Sequence, residues 1–97
     1  MSRVEKLRLK LMEGLAAENV EIEDESWKHA GHAAMAASGE SEATHLNMII
    51  VSAKFEGLSV IDQHRLVYKC IQEERDAYLH ALRLKTLTPE QYSTSAM

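Results

Sequence analysis

Five histidines and one cysteine are the side chains of this 97-residue sequence best suited to holding a metal ion or moving a proton near neutral pH. His29 and His32 lie three residues apart in a stretch rich in alanine, glycine and serine. Two imidazoles at that spacing can share an ion, but a closed zinc site needs four ligands, and no Cys/His set at finger spacing is present. On spacing alone the pair reads first as two surface histidines. Taken alone, His80 reads as a partly buried histidine at a strand start. His45 near another strand start reads as structural. His64 falls centrally on the apolar stripe of a helix, where a packed, hydrogen-bonded role is expected. Cys70 flanks that stripe and reads as an inert core thiol. A donor set incomplete within one chain can be completed by a second protein. The elements of a self-sufficient catalyst are missing: there is no glycine-rich phosphate loop, no G-x-S-x-G and no nucleophile with a local signature. The carboxylates of Glu21–Glu25 alternate between faces and do not pair. An enzyme is not expected.

The elements that must position these groups follow from periodicity. Ser2 and Glu5 form a capping box, and Val4, Leu7, Leu11 and Leu15 recur on one helical face, predicting a helix from about Ser2 to Ala17. Residues 19–24 alternate Val20 and Ile22 with Glu21 and Glu23, the pattern of a half-buried strand whose acidic run faces solvent. Residues 27–43 show no clean stripe and are expected to form a long mobile loop, of the kind that often carries function. His45 to Ser52, with Met48-Ile49-Ile50-Val51, predicts a buried strand. Ser59 and Asp62 cap a helix carrying Val60, His64, Val67 and Ile71 on one face and running to about Glu74. Leu79–Leu87 alternates Leu82 and Leu84 with Arg83 and Lys85 and predicts a third strand. Thr88-Pro89-Glu90-Gln91 starts a short turn or helix, followed by a frayed tail over 93–97.

Length and composition suit one small globular domain spanning residues 1–97, with 27% charged and 45% hydrophobic residues. The formal net charge of −4 repels phosphate backbones. The lone cysteine points to a reducing compartment. The N-terminal residues lack an apolar signal core, and the longest apolar runs are too short for a bilayer. No membrane association is expected. The cytoplasm is the default location, with an organellar matrix or stroma equally suited to a mature chain.

Several segments form one ordered series. They are Val20-Glu21-Ile22-Glu23-Asp24-Glu25-Ser26, His29-Ala30-Gly31-His32, Thr44-His45, Val51-Ser52-Ala53-Lys54-Phe55-Glu56-Gly57-Leu58-Ser59, His64-Arg65-Leu66-Val67-Tyr68, Leu79-His80-Ala81-Leu82 and Thr86-Leu87-Thr88-Pro89-Glu90. In this order and spacing the chain resembles the BolA family from its first helix to Glu90. The resemblance implies a class II KH-like fold in the α/β (α+β) class, ordered α–β–β–α–β with a C-terminal helix or turn, a three-stranded sheet and helices on one face. It also implies a partnership with a CGFS monothiol glutaredoxin, in which the two proteins and glutathione hold a [2Fe–2S] cluster for iron–sulfur trafficking, assembly or iron homeostasis. The family's ligand positions match His80 and His29, the histidine-loop subtype, with His32 as a substitute for His29. The other ligands would be a glutaredoxin cysteine and the glutathione sulfur, and the apo chain would be a monomer or weak dimer without cofactor. Imidazole ligands raise a cluster's potential and protonate more readily than expected of an all-thiolate set, so acid lability is expected. The sequence departs from the family at Gln63, where arginine is common, and at Leu46, where phenylalanine is common.

The competing reading is a KH-like nucleic-acid-binding transcriptional regulator. Arg65 and Lys69 on the second helix, with Arg83 and Lys85 on the third strand, would supply a basic face. The G-x-x-G clamp of KH modules is absent, and the net charge has the wrong sign. Protein docking is the preferred use of the same four residues.

Overall fold

Ser2 opens the first helix: its hydroxyl accepts from Glu5 N–H at 3.2 Å, the forward half of the capping pattern. In the computed structural model, which describes residues 2–25 and 43–95, helix α1 spans Arg3–Gly14 and strand β1 Asn19–Asp24. Strand β2 (His45–Val51) follows, then a 3-10 turn at Ala53–Phe55, helices α2 (Val60–Cys70) and α3 (Gln72–Ala77), strand β3 (Ala81–Leu87) and helix α4 (Pro89–Ser95). The expected loop over 27–43 lies, up to residue 42, outside the described residues.

The sheet order is β1-β2-β3. β1 pairs antiparallel with β2, Val20 opposite Ile50 and Ile22 opposite Met48. β2 pairs parallel with β3, Leu46 beside Leu82 and Met48 beside Leu84. A parallel pair needs a long crossover, and α2 and α3 supply it. One face of the sheet (Val20, Leu46, Met48, Ile50) packs against Leu7, Leu11, Val67 and Ile71 from the helices, with Phe55 and Leu79 in the same buried cluster. The opposite face carries rows set by the register: Glu23, Asn47 and Arg83 in one, and Glu21, Ile49 and Lys85 in the next.

The first helix ends sooner than its apolar spacing suggests. Ala16 adopts a left-handed backbone, φ 48°, and Ala17 N–H returns to Met12 O at 3.2 Å, closing the last turn as a Schellman-type cap in a position that usually falls to glycine. The chain's glycine sits two residues earlier, for a different reason: a β-carbon at Gly14 would lie 2.7 Å from Cys70 Sγ. Glycine lets α1 and α2 approach closely. Ser52, fully buried, ties the same region to the sheet by donating to Leu15 O at 2.6 Å.

The second helix differs from its sequence pattern in two ways. Its apolar stripe is rotated: Val60 is 62% exposed and His64 is half-buried, whereas Gln63, Val67 and Ile71 face the core. The expectation of a packed core His64 is therefore corrected. Gln63 takes the inner position because its amide is fully used. Nε2 donates to Phe55 O at 3.2 Å and Leu58 O at 3.0 Å, and Oε1 accepts from Thr86 Oγ1 at 2.6 Å. The helix also breaks at Ile71, whose backbone (φ −114°, ψ 26°) leaves the helical region while its side chain stays fully buried. The break reorients α3, so that both Glu74 oxygens meet Lys10 Nζ at 3.0 Å.

At the C-terminus, Thr88 and Gln91 cap each other, backbone to side chain in both directions, at 2.9 and 3.2 Å. The expectation of a frayed tail from Ser93 is corrected: α4 continues through Ser95, with Thr94 Oγ1 donating to Glu90 O at 3.0 Å. Tyr92 Oη, on the same helix, accepts from Asn19 Nδ2 at 3.1 Å and closes the end of the sheet.

The Cys70 and Lys10 pair sets an alkaline limit. Burial pushes the Cys70 thiol above its ordinary value; Lys10 opposes the shift and Glu74 adds to it. Its Sγ donates to Lys10 O at 3.6 Å. The hydrogen bond that Lys10 donates to Glu74 raises the Lys10 amine, with Glu74 and Glu73 charge adding to it against desolvation. Both folded pKa values lie above the unfolded ones, so the unfolded chain loses each proton first. Each group's contribution to stability is intact below its ordinary value (9.0 for the thiol, 10.5 for the amine) and is lost as pH rises past it. Thermal melts across the alkaline range should show a declining midpoint, and Cys70→Ala should blunt the earlier part of that decline.

Candidate functional site

One end of the sheet gathers the features that chemistry would need. Thr44 O accepts from both His80 N–H at 2.9 Å and Ala81 N–H at 3.1 Å, which fixes the backbone of His80 where β3 begins. His45 pairs with Ala81, and His45 O in turn accepts from Glu25 N–H at 2.8 Å. Asp24 Oδ2 accepts from Ala43 N–H at 3.0 Å, and Ala43 is held at φ 59°. The chain therefore leaves β1 and returns to β2 at the same sheet end that carries His80. Thr44 Oγ1 lies 3.0 Å from His45 Nδ1, which holds that ring against its own strand.

His80 itself is exposed. It lines a cleft of about 410 Å³ with Tyr68, Arg75, Asp76, Leu79 and Leu82. The cleft therefore joins α2, α3 and the start of β3. Tyr68 is gripped from two sides: His64 meets it edge-on, ring centroids 6.2 Å apart, and the Arg75 guanidinium lies 4.4 Å over its face. Asp76 is occupied at Oδ1 by Gln72 Nε2 at 2.9 Å.

Among the described residues, no group of three or more His, Cys, Asp or Glu side chains is placed to hold a metal ion. His80 is a single accessible imidazole there, a donor set that suits a cluster completed by other ligands. His29 and His32 lie outside the described residues. Cys70 is bonded to Lys10 O between α1 and α2 and does not line the His80 cleft.

The four basic residues expected to form one face are divided by the structure. Arg65 and Lys69 are exposed on α2, in the helix layer, and Arg65 Nη1 pairs with Asp62 Oδ1 at 3.3 Å. Arg83 and Lys85 point the other way, because β3 alternates and turns Leu82, Leu84 and Thr86 toward the helices. Their rows also contain Glu23 and Glu21, so that face is of mixed charge. The sequence does not single out Arg75 or Tyr68: their seven-residue spacing would share one face of a continuous helix, but the helix is expected to end at about Glu74, one residue before Arg75.

With this geometry established, the family profile described as BolA-like protein matches residues 11–91. The chain is 43% identical over 90 residues to Protein BOLA1, chloroplastic, of Arabidopsis thaliana, covering 93% of this chain and 56% of that one. It is 44% identical over 89 residues to the SufE-like protein 1, chloroplastic/mitochondrial, of the same plant, covering 91% of this chain but 24% of the relative. Mouse BolA-like protein 2 is 41% identical over 87 residues, 90% of this chain and 86% of that protein. The structure superposes on that of Arabidopsis BolA1 with a TM-score of 0.83, covering 93% and 95% of the two chains. For the BolA domain of Arabidopsis SufE1 the TM-score is 0.77 at 39% identity, with the same coverage. The chain thus spans about half and a quarter of the length of the two plant relatives. Among the described residues the fold is a small α+β domain of three strands and four helices, as in these solved relatives. The chain belongs to the BolA family.

Proposed function

We propose that this protein is a non-catalytic partner of a CGFS monothiol glutaredoxin, with which it shares a bridging [2Fe–2S] cluster in iron–sulfur trafficking or iron homeostasis. The observation that carries this reading is the exposed imidazole of His80 in an open cleft, in a chain whose described residues form no complete metal site. His80 is one ligand. His29 is the second, with His32 as its substitute: the segment containing both leaves from Glu25, bonded to His45 across β2, and returns at Ala43, next to the Thr44 carbonyl that holds His80. A glutaredoxin cysteine and the glutathione sulfur complete the set. Mixed imidazole and thiolate ligation is chemically sound for such a cluster and raises its potential.

On this reading the chain's work is positional. The double hydrogen bond at Thr44 O fixes His80, and the cleft beside it accepts the partner. The nucleic-acid alternative loses support from the division of Arg65 and Lys69 from Arg83 and Lys85. The names of the two plant relatives place one in the chloroplast and the other in the chloroplast or mitochondrion, so an organelle is the compartment to examine before the cytoplasm.

The test is anaerobic reconstitution of the cluster with a CGFS glutaredoxin and glutathione, followed by visible absorption and circular dichroism. A spectrum distinct from that of the glutaredoxin homodimer is expected. A spectrum left unchanged by this protein, with no binding between the two, would overturn the reading.

A further inference from the structure

The cleft in front of His80 has a charge pattern that the ligand set does not use. Arg75 is exposed, and among the described residues its guanidinium has a ring for a partner but no carboxylate. Of the described lysines and arginines, Arg75 is the one that lines the His80 cleft. The contact with Tyr68, itself met edge-on by His64, holds the guanidinium over the ring at one side of the cleft, and its N–H donors have no carboxylate partner among the described residues. The floor beneath is apolar, from Leu79 and Leu82. One acid, Asp76, lines the same cleft and accepts at Oδ1 from Gln72.

We infer that the Arg75–Tyr68 stack is a docking clamp for a carboxylate of the partner protein, seated in the cleft beside His80. This rests on the partner reading above and specifies the chemistry by which the partner is recognised. A planar, pre-oriented guanidinium over an aromatic ring binds a carboxylate with two parallel hydrogen bonds and little ordering cost. Asp76 works against the same carboxylate by like charge, and it rejects misplaced acids while limiting affinity.

The two residues therefore make predictions of opposite sign. Binding of glutathione-loaded CGFS glutaredoxin to the full chain would be measured by calorimetry at low and moderate salt. Arg75→Gln is expected to weaken binding about ten-fold and to flatten its salt dependence. Arg75→Lys, which keeps the charge but loses the fork, should fall between the two. Asp76→Asn should tighten binding. At saturating concentrations all three variants should give the wild-type mixed-cluster spectrum, because none supplies a ligand. Wild-type affinity in Arg75→Gln, or weaker binding in Asp76→Asn, would overturn the clamp while leaving the shared cluster intact. Failure of the unsubstituted chain to bind at all would overturn both. If glutathione alone, without glutaredoxin, shifts the Arg75 side-chain resonances, the carboxylate comes from the tripeptide and the protein-docking clamp is overturned.

Discussion

Replacing His80 with alanine is expected to abolish the spectrum of the shared cluster while leaving the fold intact. The separation of the two effects follows from how the residue is held. Its side chain is exposed, while its structural role is carried by the backbone, through the N–H that donates to Thr44 O at 2.9 Å. Alanine keeps that bond. Its removal should shift folding stability by no more than about 0.5 kcal/mol, as for other surface changes away from caps and cores. The proposed cluster would have no such reserve, since Cys70, held between α1 and α2, is not placed to replace a lost ligand. Reconstitution with the variant should return the glutaredoxin homodimer spectrum, and a thermal melt alongside should match the unsubstituted chain. An unaltered mixed spectrum in His80→Ala would remove this residue from the ligand set. Parallel His29→Ala and His32→Ala reconstitutions would assign the second ligand by the same readout.

The strands were legible in the sequence because their signals are local and binary. Val20 and Ile22 against Glu21 and Glu23, and Leu82 and Leu84 against Arg83 and Lys85, each decide a face by alternation alone. The capping pairs at Ser2, Ser59 and Thr88 were legible for a related reason: a side chain three residues from its backbone donor needs no tertiary context. The helix interiors were less legible. Placing Val60 and His64 on the buried stripe follows hydropathy, whereas the structure buries Gln63, a polar residue whose partners, Phe55 O, Leu58 O and Thr86 Oγ1, lie on other elements. The break at Ile71 has no proline or glycine to announce it, so the cleft built across that break was invisible as well. The ligand role of His80 rests on the family resemblance, since the residues alone favour a structural histidine; the structure shows that its side chain is exposed and lines a cleft.

Gln63→Leu should be among the most destabilising single substitutions in the chain, costing about 3 kcal/mol. The residue is 6% exposed and joins three separate segments: the 3-10 turn through Phe55 O, the approach to α2 through Leu58 O, and β3 through Thr86 Oγ1. Leucine fills nearly the same volume, so the cost is not a cavity. It arises because the interior keeps the polar groups that the amide had satisfied. Phe55 O retains a bond from Leu58 N–H at 3.1 Å and Leu58 lies at the surface, so the heaviest loss falls on the buried Thr86 hydroxyl. For a domain of this size the melting midpoint should fall on the order of 15 °C. Adding Thr86→Val should restore part of the loss, since removing both ends of a buried hydrogen bond costs less than removing one. Gln63→Glu separates polarity from size: an ionised carboxylate would face two carbonyl oxygens in the core, while the protonated acid can still donate to one of them. Burial raises that carboxyl above its unfolded value, so Gln63→Glu should be most stable under acid conditions and should lose stability as pH rises toward neutral. Urea denaturation of the four proteins at acidic and neutral pH would measure all of these terms, and an unperturbed midpoint in Gln63→Leu would show that the three segments are held by apolar packing alone.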